Sequence, residues 1–113
     1  MIRVKRVYDK PEKTDGQRIL VDRLWPRGLS KERAAVDLWL KELAPSDALR
    51  KWYGHDPARW AEFQRRYARE LEGRAAELEE IRLRSRDSVV TLLFAAAEKR
   101  NNAVALLEFL KTR

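Results

Sequence analysis

Apolar positions recur along the chain at two spacings. Over residues 2–8, Ile2 and Val4 alternate with Arg3 and Lys5, the period of a strand with one wet face. The stretch Asp9 to Gly16 (DKPEKTDG) is a polar loop by its turn residues. Arg18 to Leu24 holds a continuous apolar run, Ile19-Leu20-Val21, as expected of a central strand, and Pro26 and Gly28 close it. Ser30 is placed to cap a short helical turn from Lys31. Residues 36–43 fit two patterns. Val36, Trp39, Leu40 and Leu43 make a helical face, whereas Val36, Leu38 and Leu40 make a strand, and so short a run leaves both open.

Helical spacing dominates from Pro45 onward. Ser46 caps a short helix that Gly54 ends in the left-handed conformation, and Asp56-Pro57 opens the next with a cap and a first-turn proline. Trp60, Phe63, Tyr67 and Leu71 form an aromatic stripe that reads as a core-facing seam. After Gly73, Ala75, Leu78 and Ile81 continue a second amphipathic helix to about Arg84, and Ser85 to Ser88 reads as a turn. Val89 to Ala95 (VVTLLFA) is a strand buried on both faces, followed by a loop over residues 96–100. Asn101 or Asn102 caps a last helix, with Ala103, Leu106, Leu107 and Leu110 turned inward. Together these elements predict an α/β fold, with residues 1–113 as a single three-layer-like domain: a small, mostly parallel sheet flanked by helices.

Composition narrows the chemistry. With no cysteine and one histidine, thiolate catalysis, disulfides and multi-histidine or thiolate metal sites are excluded. No metal or cofactor is expected. No apolar run is long enough to cross a bilayer, and the N-terminus lacks the apolar core of a signal peptide, so the expectation is a cytoplasmic protein with no membrane partner. The net charge of +7 is unevenly placed. Residues 1–33 carry ten Lys/Arg against five Asp/Glu, residues 34–81 eight against ten, and residues 82–113 seven against three. If the two ends share a sheet, they build a basic face that suits an anionic small molecule or nucleic acid.

The candidate chemistry gathers in LVDRLWPRG, Leu20 to Gly28. Ligands of open α/β sheets sit beyond the carboxyl ends of the strands, where this stretch falls. Arg23 and Arg27 are planar forks for carboxylate or phosphate, stiffened by Pro26, with Trp25 between them. Asp22 is a candidate base or an orienting group, or else it only staples the turn. Asn101 and Asn102 open a helix after a buried strand, where one can cap and the other reach a ligand. His55 is the one side chain titrating near neutrality and so a second proton-handling candidate, although a loop histidine more often packs on a neighbouring ring. Ser46 has no base nearby in sequence and is taken as a cap. There is no GxGxxG and no P-loop pattern.

At these residues the chain resembles the YeaO-like family, small bacterial proteins within a domain family of unknown function. The resemblance runs nearly end to end: KRVYD (Lys5–Asp9), DGQRILVDRLWPRGLSKE (Asp15–Glu32), WLKELAPS (Trp39–Ser46), LRKWYGHDP (Leu49–Pro57), Phe63 with Tyr67, TLLFAA, and NNA at Asn101–Ala103. It implies an α/β domain with the second and last strands in one sheet and an extended segment over residues 36–43. The family's polar positions map onto Asp22, Arg23, Arg27, His55 and Asn101. Members often carry Tyr where this chain has Phe94, and His near Arg100 or Asn102, so proton transfer by those groups would not carry over. No settled activity comes with the resemblance. The transcription-regulator labels of some members find no winged-helix pattern here.

The reading that follows is a protein that binds a phosphate- or nucleotide-bearing anion through Arg23, Trp25, Arg27, Asn101 and Asn102, with hydrolase or transferase chemistry open. The alternatives are a nucleic-acid-associated protein using its basic face and an interaction module without catalysis.

Overall fold

The computed structural model describes residues 1–112. Its four strands form one parallel sheet in the order β1-β4-β2-β3, with β1 at Ile2–Arg6, β2 at Gln17–Leu20, β3 at Leu38–Trp39 and β4 at Val90–Phe94. Five helices accompany it: α1 (Lys31–Ala34), α2 (Asp47–Tyr53), α3 (Trp60–Leu71), α4 (Ala75–Asp87) and α5 (Asn102–Thr112). Parallel pairing needs a crossover between successive strands, and each crossover brings its own cover to the sheet.

The register sorts side chains by face. Val4, Leu92, Ile19 and Leu38 lie on one rung across all four strands, and they face the main core. There they meet Phe63, Tyr67 and Leu71 of α3, Leu78 and Ile81 of α4, and Leu106 of α5. The aromatic stripe read from the sequence is this seam, with Tyr53 stacked on Phe63 at 4.4 Å. The next rung, Lys5, Leu93, Leu20 and Trp39, faces the other way. Leu20 and Leu93 pack there with Val7 and Ala34 under Trp25, Leu29 and Trp39. Helical cover is therefore unequal: four helices on one face, and on the other only α1 with the turn that precedes it.

The polar face of β1 is partly covered: Arg3 stays exposed, whereas Lys5 is drawn in. The loop between β1 and β2 folds over it, and its Asp15 becomes a hub only 3% exposed. Arg18 Nη1 donates to Asp15 Oδ2 at 2.5 Å, Lys5 Nζ to Oδ1 at 3.1 Å, and the Glu12 amide to Oδ2 at 3.0 Å. Arg18 is saturated, its Nε and Nη2 donating to the carbonyls of Ala35 and Ala34. Thr91 of the central strand donates to the Asp15 carbonyl at 2.7 Å.

Boundaries differ from the sequence reading in five places. Strands β1, β2 and β4 are shorter than expected, although Val7 and Val21 continue the pairing with amide bonds to Phe94 and Leu93. The ambiguous residues 36–43 are a two-residue strand followed by a 3-10 turn at Lys41–Leu43. Residues 85–87, expected in a turn, remain helical. Ser85 turns its hydroxyl onto the Arg82 carbonyl and Ser88 onto that of Arg84, so the serines satisfy the last turn of α4 from within. Gly54 and Ser46 end and begin α2 as expected.

Candidate functional site

The sheet directs four loops to one edge, because all its strands run the same way. These are the segments after β1 (Val7 onward), β2 (Val21 to Ser30), β3 (Leu40 to Pro45) and β4 (Ala95 to Asn101). Crevices at such an edge are where α/β sheets bind ligands. Most of the residues singled out from the sequence belong to these loops.

Asp22 is a latch between the two central strands. Its Oδ2 accepts from the Ala95 amide at 2.9 Å, beyond the end of β4, and its Oδ1 from Asn102 Nδ2 at 3.1 Å. The same Asn102 amide donates to the Val21 carbonyl at 3.1 Å. The Asp22 backbone carbonyl takes the Trp39 indole N–H at 2.7 Å, which ties β3 to the turn. Burial pushes the Asp22 carboxyl above the ordinary aspartate range, and the bonds from Asn102 and Ala95 offset this only in part. Replacing Asn102 with alanine removes both donors and should cost about 1–3 kcal/mol. The sign with pH follows. A carboxyl whose folded pKa is raised favours the fold below its unfolded value, about 3.9, and loses that contribution as pH rises through the folded value. Losing Asn102 raises it further, so denaturation should show a larger deficit at neutral pH than below pH ~4.

The two asparagines divide their work differently from the expectation that one would reach a ligand. Asn101 is buried and caps α5: its Oδ1 accepts from the Val104 amide at 3.1 Å, and its Nδ2 donates to the Glu98 carbonyl at 2.8 Å. Asn102 serves the latch. Both side chains are engaged by the protein itself.

The two arginines point to different surroundings. Arg23 Nη2 donates to the Ala44 carbonyl at 3.2 Å, and the side chain lines a groove with Ser46, Tyr67 and Glu70. Arg27 is exposed, and among the described residues its guanidinium has no hydrogen bond or ion pair. The turn that carries it is pinned. Tyr8 Oη donates to the Arg27 carbonyl at 2.9 Å, Trp25 Nε1 to the Leu29 carbonyl at 2.7 Å, and Pro26 is buried. Trp25 also meets Trp39 edge-on at 5.6 Å, so it closes the smaller core.

Arg6 was not singled out from the sequence, yet it belongs to this surface. Its guanidinium lies 4.8 Å over the Tyr8 ring, and its Nε donates to the Ala95 and Ala96 carbonyls. Only the parallel pairing of β1 with β4 brings it there, which no local pattern signals. His55 sits exposed at φ 58°, with Nδ1 3.2 Å from the Glu98 carboxylate. It thus touches the loop after β4. Tyr53, one turn back, donates its hydroxyl to the Arg100 carbonyl at 2.9 Å.

Ser46 caps α2 as read, accepting from the Leu49 amide, but it also has an acidic partner. Glu70 of α3 accepts its hydroxyl at 2.6 Å and its amide at 2.8 Å. The pair is separated by 24 residues and is visible only once α3 packs.

The chain matches, over residues 1–113, a family described as the inactive DUF488-N3 subclade. The chain belongs to this family. An uncharacterised protein from Mycobacterium tuberculosis strain H37Rv is 45% identical over 113 residues, covering 99% of this chain and 95% of its own length. The uncharacterised protein YeaO of Escherichia coli K12 is 40% identical over 112 residues, covering 98% and 97%. The YeaO resemblance read from DRLWPRG is thereby shown. No solved structure matches the chain. No helix among the described residues is long and apolar enough to cross a membrane.

Proposed function

We propose that this protein is a binding domain for an anionic small molecule, phosphate- or nucleotide-bearing, that works without covalent chemistry of its own. One observation carries the reading: Arg27 presents an unpaired guanidinium on a turn whose backbone is pinned by Tyr8, Trp25 and the buried Pro26. With the turn fixed, only the Arg27 side chain itself has to be ordered when its fork pairs with an oxyanion. Arg6, joined to the same Tyr8, adds a second positive charge at this edge.

The absence of chemistry is supported from two sides. The family is described as inactive. The proton-handling candidate at the edge, Asp22, has both carboxylate oxygens engaged by Ala95 and Asn102. A nucleic-acid reading draws less support, because two basic residues of the first strands, Lys5 and Arg18, are paired with Asp15.

Calorimetric titration with inorganic phosphate, AMP and ATP at low ionic strength tests this. At least one should bind, and Arg27→Ala should weaken it about tenfold or more, with an unchanged circular-dichroism melt. Equal affinity in the variant, or no binding by any of the three, overturns the proposal. Binding to random duplex DNA that fades steeply with salt, at equal strength in the variant, would favour the basic-face alternative.

A further inference from the structure

Arg18 and Arg23 are both at least half-buried and both donate to backbone carbonyls, and they differ in one respect. Arg18 is complete: two carbonyls and the Asp15 carboxylate take its nitrogens. Arg23 is not. Only its Nη2 is engaged, by Ala44 at 3.2 Å and more distantly by Pro45 at 3.5 Å, and its Nε is buried without a partner. Among the described residues no carboxylate pairs with it. A buried donor left unmade costs about 1–3 kcal/mol, so a structural arginine is not built this way.

Arg23 borders a groove of about 380 Å³, within the range of small-molecule sites. The floor is Tyr67 and Leu71 of α3. Tyr67 is fixed by a bond to the Leu43 carbonyl, and burial holds its hydroxyl neutral far above neutrality. The walls carry charge of both signs. Arg74 lies opposite Glu42 at a loose 3.9 Å, and Glu70 is held by Ser46. Two guanidiniums and two carboxylates make the groove neutral overall. It therefore does not favour a phosphate dianion, which Glu42 and Glu70 repel. It suits a small molecule that brings one charge of each sign.

We propose that this groove is a ligand site separate from Arg27 and that it takes a small zwitterion of the α-amino-acid class. The carboxylate meets Arg23 and Arg74, and the ammonium meets Glu42 and Glu70.

Proton–nitrogen NMR of the full chain tests this, with L-alanine, L-glutamate, L-lysine and L-phenylalanine as probes, and acetate, methylammonium and inorganic phosphate for comparison. At least one amino acid should shift the amides of Ser46, Gly73 and Arg74. Acetate and methylammonium alone should bind about tenfold more weakly, each lacking one charged contact. Arg74→Gln, at an exposed position, should weaken amino-acid binding on an intact fold, and Arg23→Gln should abolish it. Arg27→Ala should leave it unchanged, which separates this result from the fate of the phosphate proposal. The inference is overturned if none of the four amino acids shifts these amides. It is also overturned if acetate or phosphate shifts them as strongly, or if Arg74→Gln, folded, binds equally well.

Discussion

Gly16→Ala is expected to destabilise the protein by about 3 kcal/mol or more, a fall in Tm on the order of 15 °C for a domain of this size. Gly16 joins the first loop to β2 at φ 64° and ψ −130°, a region open to glycine and costly for other residues. Space adds to strain here. A Cβ at this position would sit 2.1 Å from the Val89 carbonyl oxygen and 2.8 Å from its carbon. Both atoms are backbone, and that same carbonyl accepts from the Gln17 amide at 2.8 Å. Relief requires the start of β4 to move away from β2. Gly28→Ala is the internal control: its φ is also positive, at 78°, but a Cβ there meets nothing within 4 Å. Its cost should be only conformational, about 1 kcal/mol. Urea denaturation of the two variants side by side measures the difference. Equal losses would show that the close approach to Val89 contributes nothing.

Asp15→Ala is expected to cost about 3–5 kcal/mol, the loss typical of removing one partner from a buried ion pair. Arg18 would remain almost fully buried with only carbonyls around it, and Lys5 would keep Glu12 alone. Burial acts to raise the Asp15 pKa, but the bonds from the Glu12 amide, Lys5 and Arg18 prevail and hold it below the ordinary range. The sign with pH is therefore opposite to that of Asp22. A depressed folded pKa contributes stability above the unfolded value, about 3.9, and that contribution disappears as pH falls through the folded value. The stability gap between wild type and Asp15→Ala should be wide at pH ~7 and shrink steadily below pH ~4. A gap independent of pH would assign the cost to packing instead of charge.

The parts of this fold written in short spacing were legible in the sequence. The apolar runs of the two central strands, the Ser30, Ser46 and Asp56 caps and the aromatic seam each depend on neighbours within four residues. Residues 36–43 resisted reading for a physical reason. Only Leu38 and Trp39 pair with β2, and the chain then tightens into a 3-10 turn, so neither period persists. The site was legible as a location and not as a mechanism. Its position beyond β2 followed from DRLWPRG, but the division of labour did not. That Asp22 would bind Asn102, that Arg6 would join Arg27 through Tyr8, and that Ser46 would find Glu70 all depend on packing between distant segments. The basic first strands misled most. Lys5 and Arg18 count as surface charge in a composition, yet Asp15 of the loop before β2 pairs with both.

The order of the sheet has a consequence for how the protein is made. Ile2–Arg6 and Gln17–Leu20 leave the ribosome early, but the strand that both of them flank is Val90–Phe94. Until Val90–Phe94 has been made, the two earlier segments have no common neighbour to zip against. The β1 and β2 halves of the sheet can therefore join only after β4 is made, although β2 can already pair with β3. Such long-range parallel pairings carry a larger loop-closure cost and so slow folding.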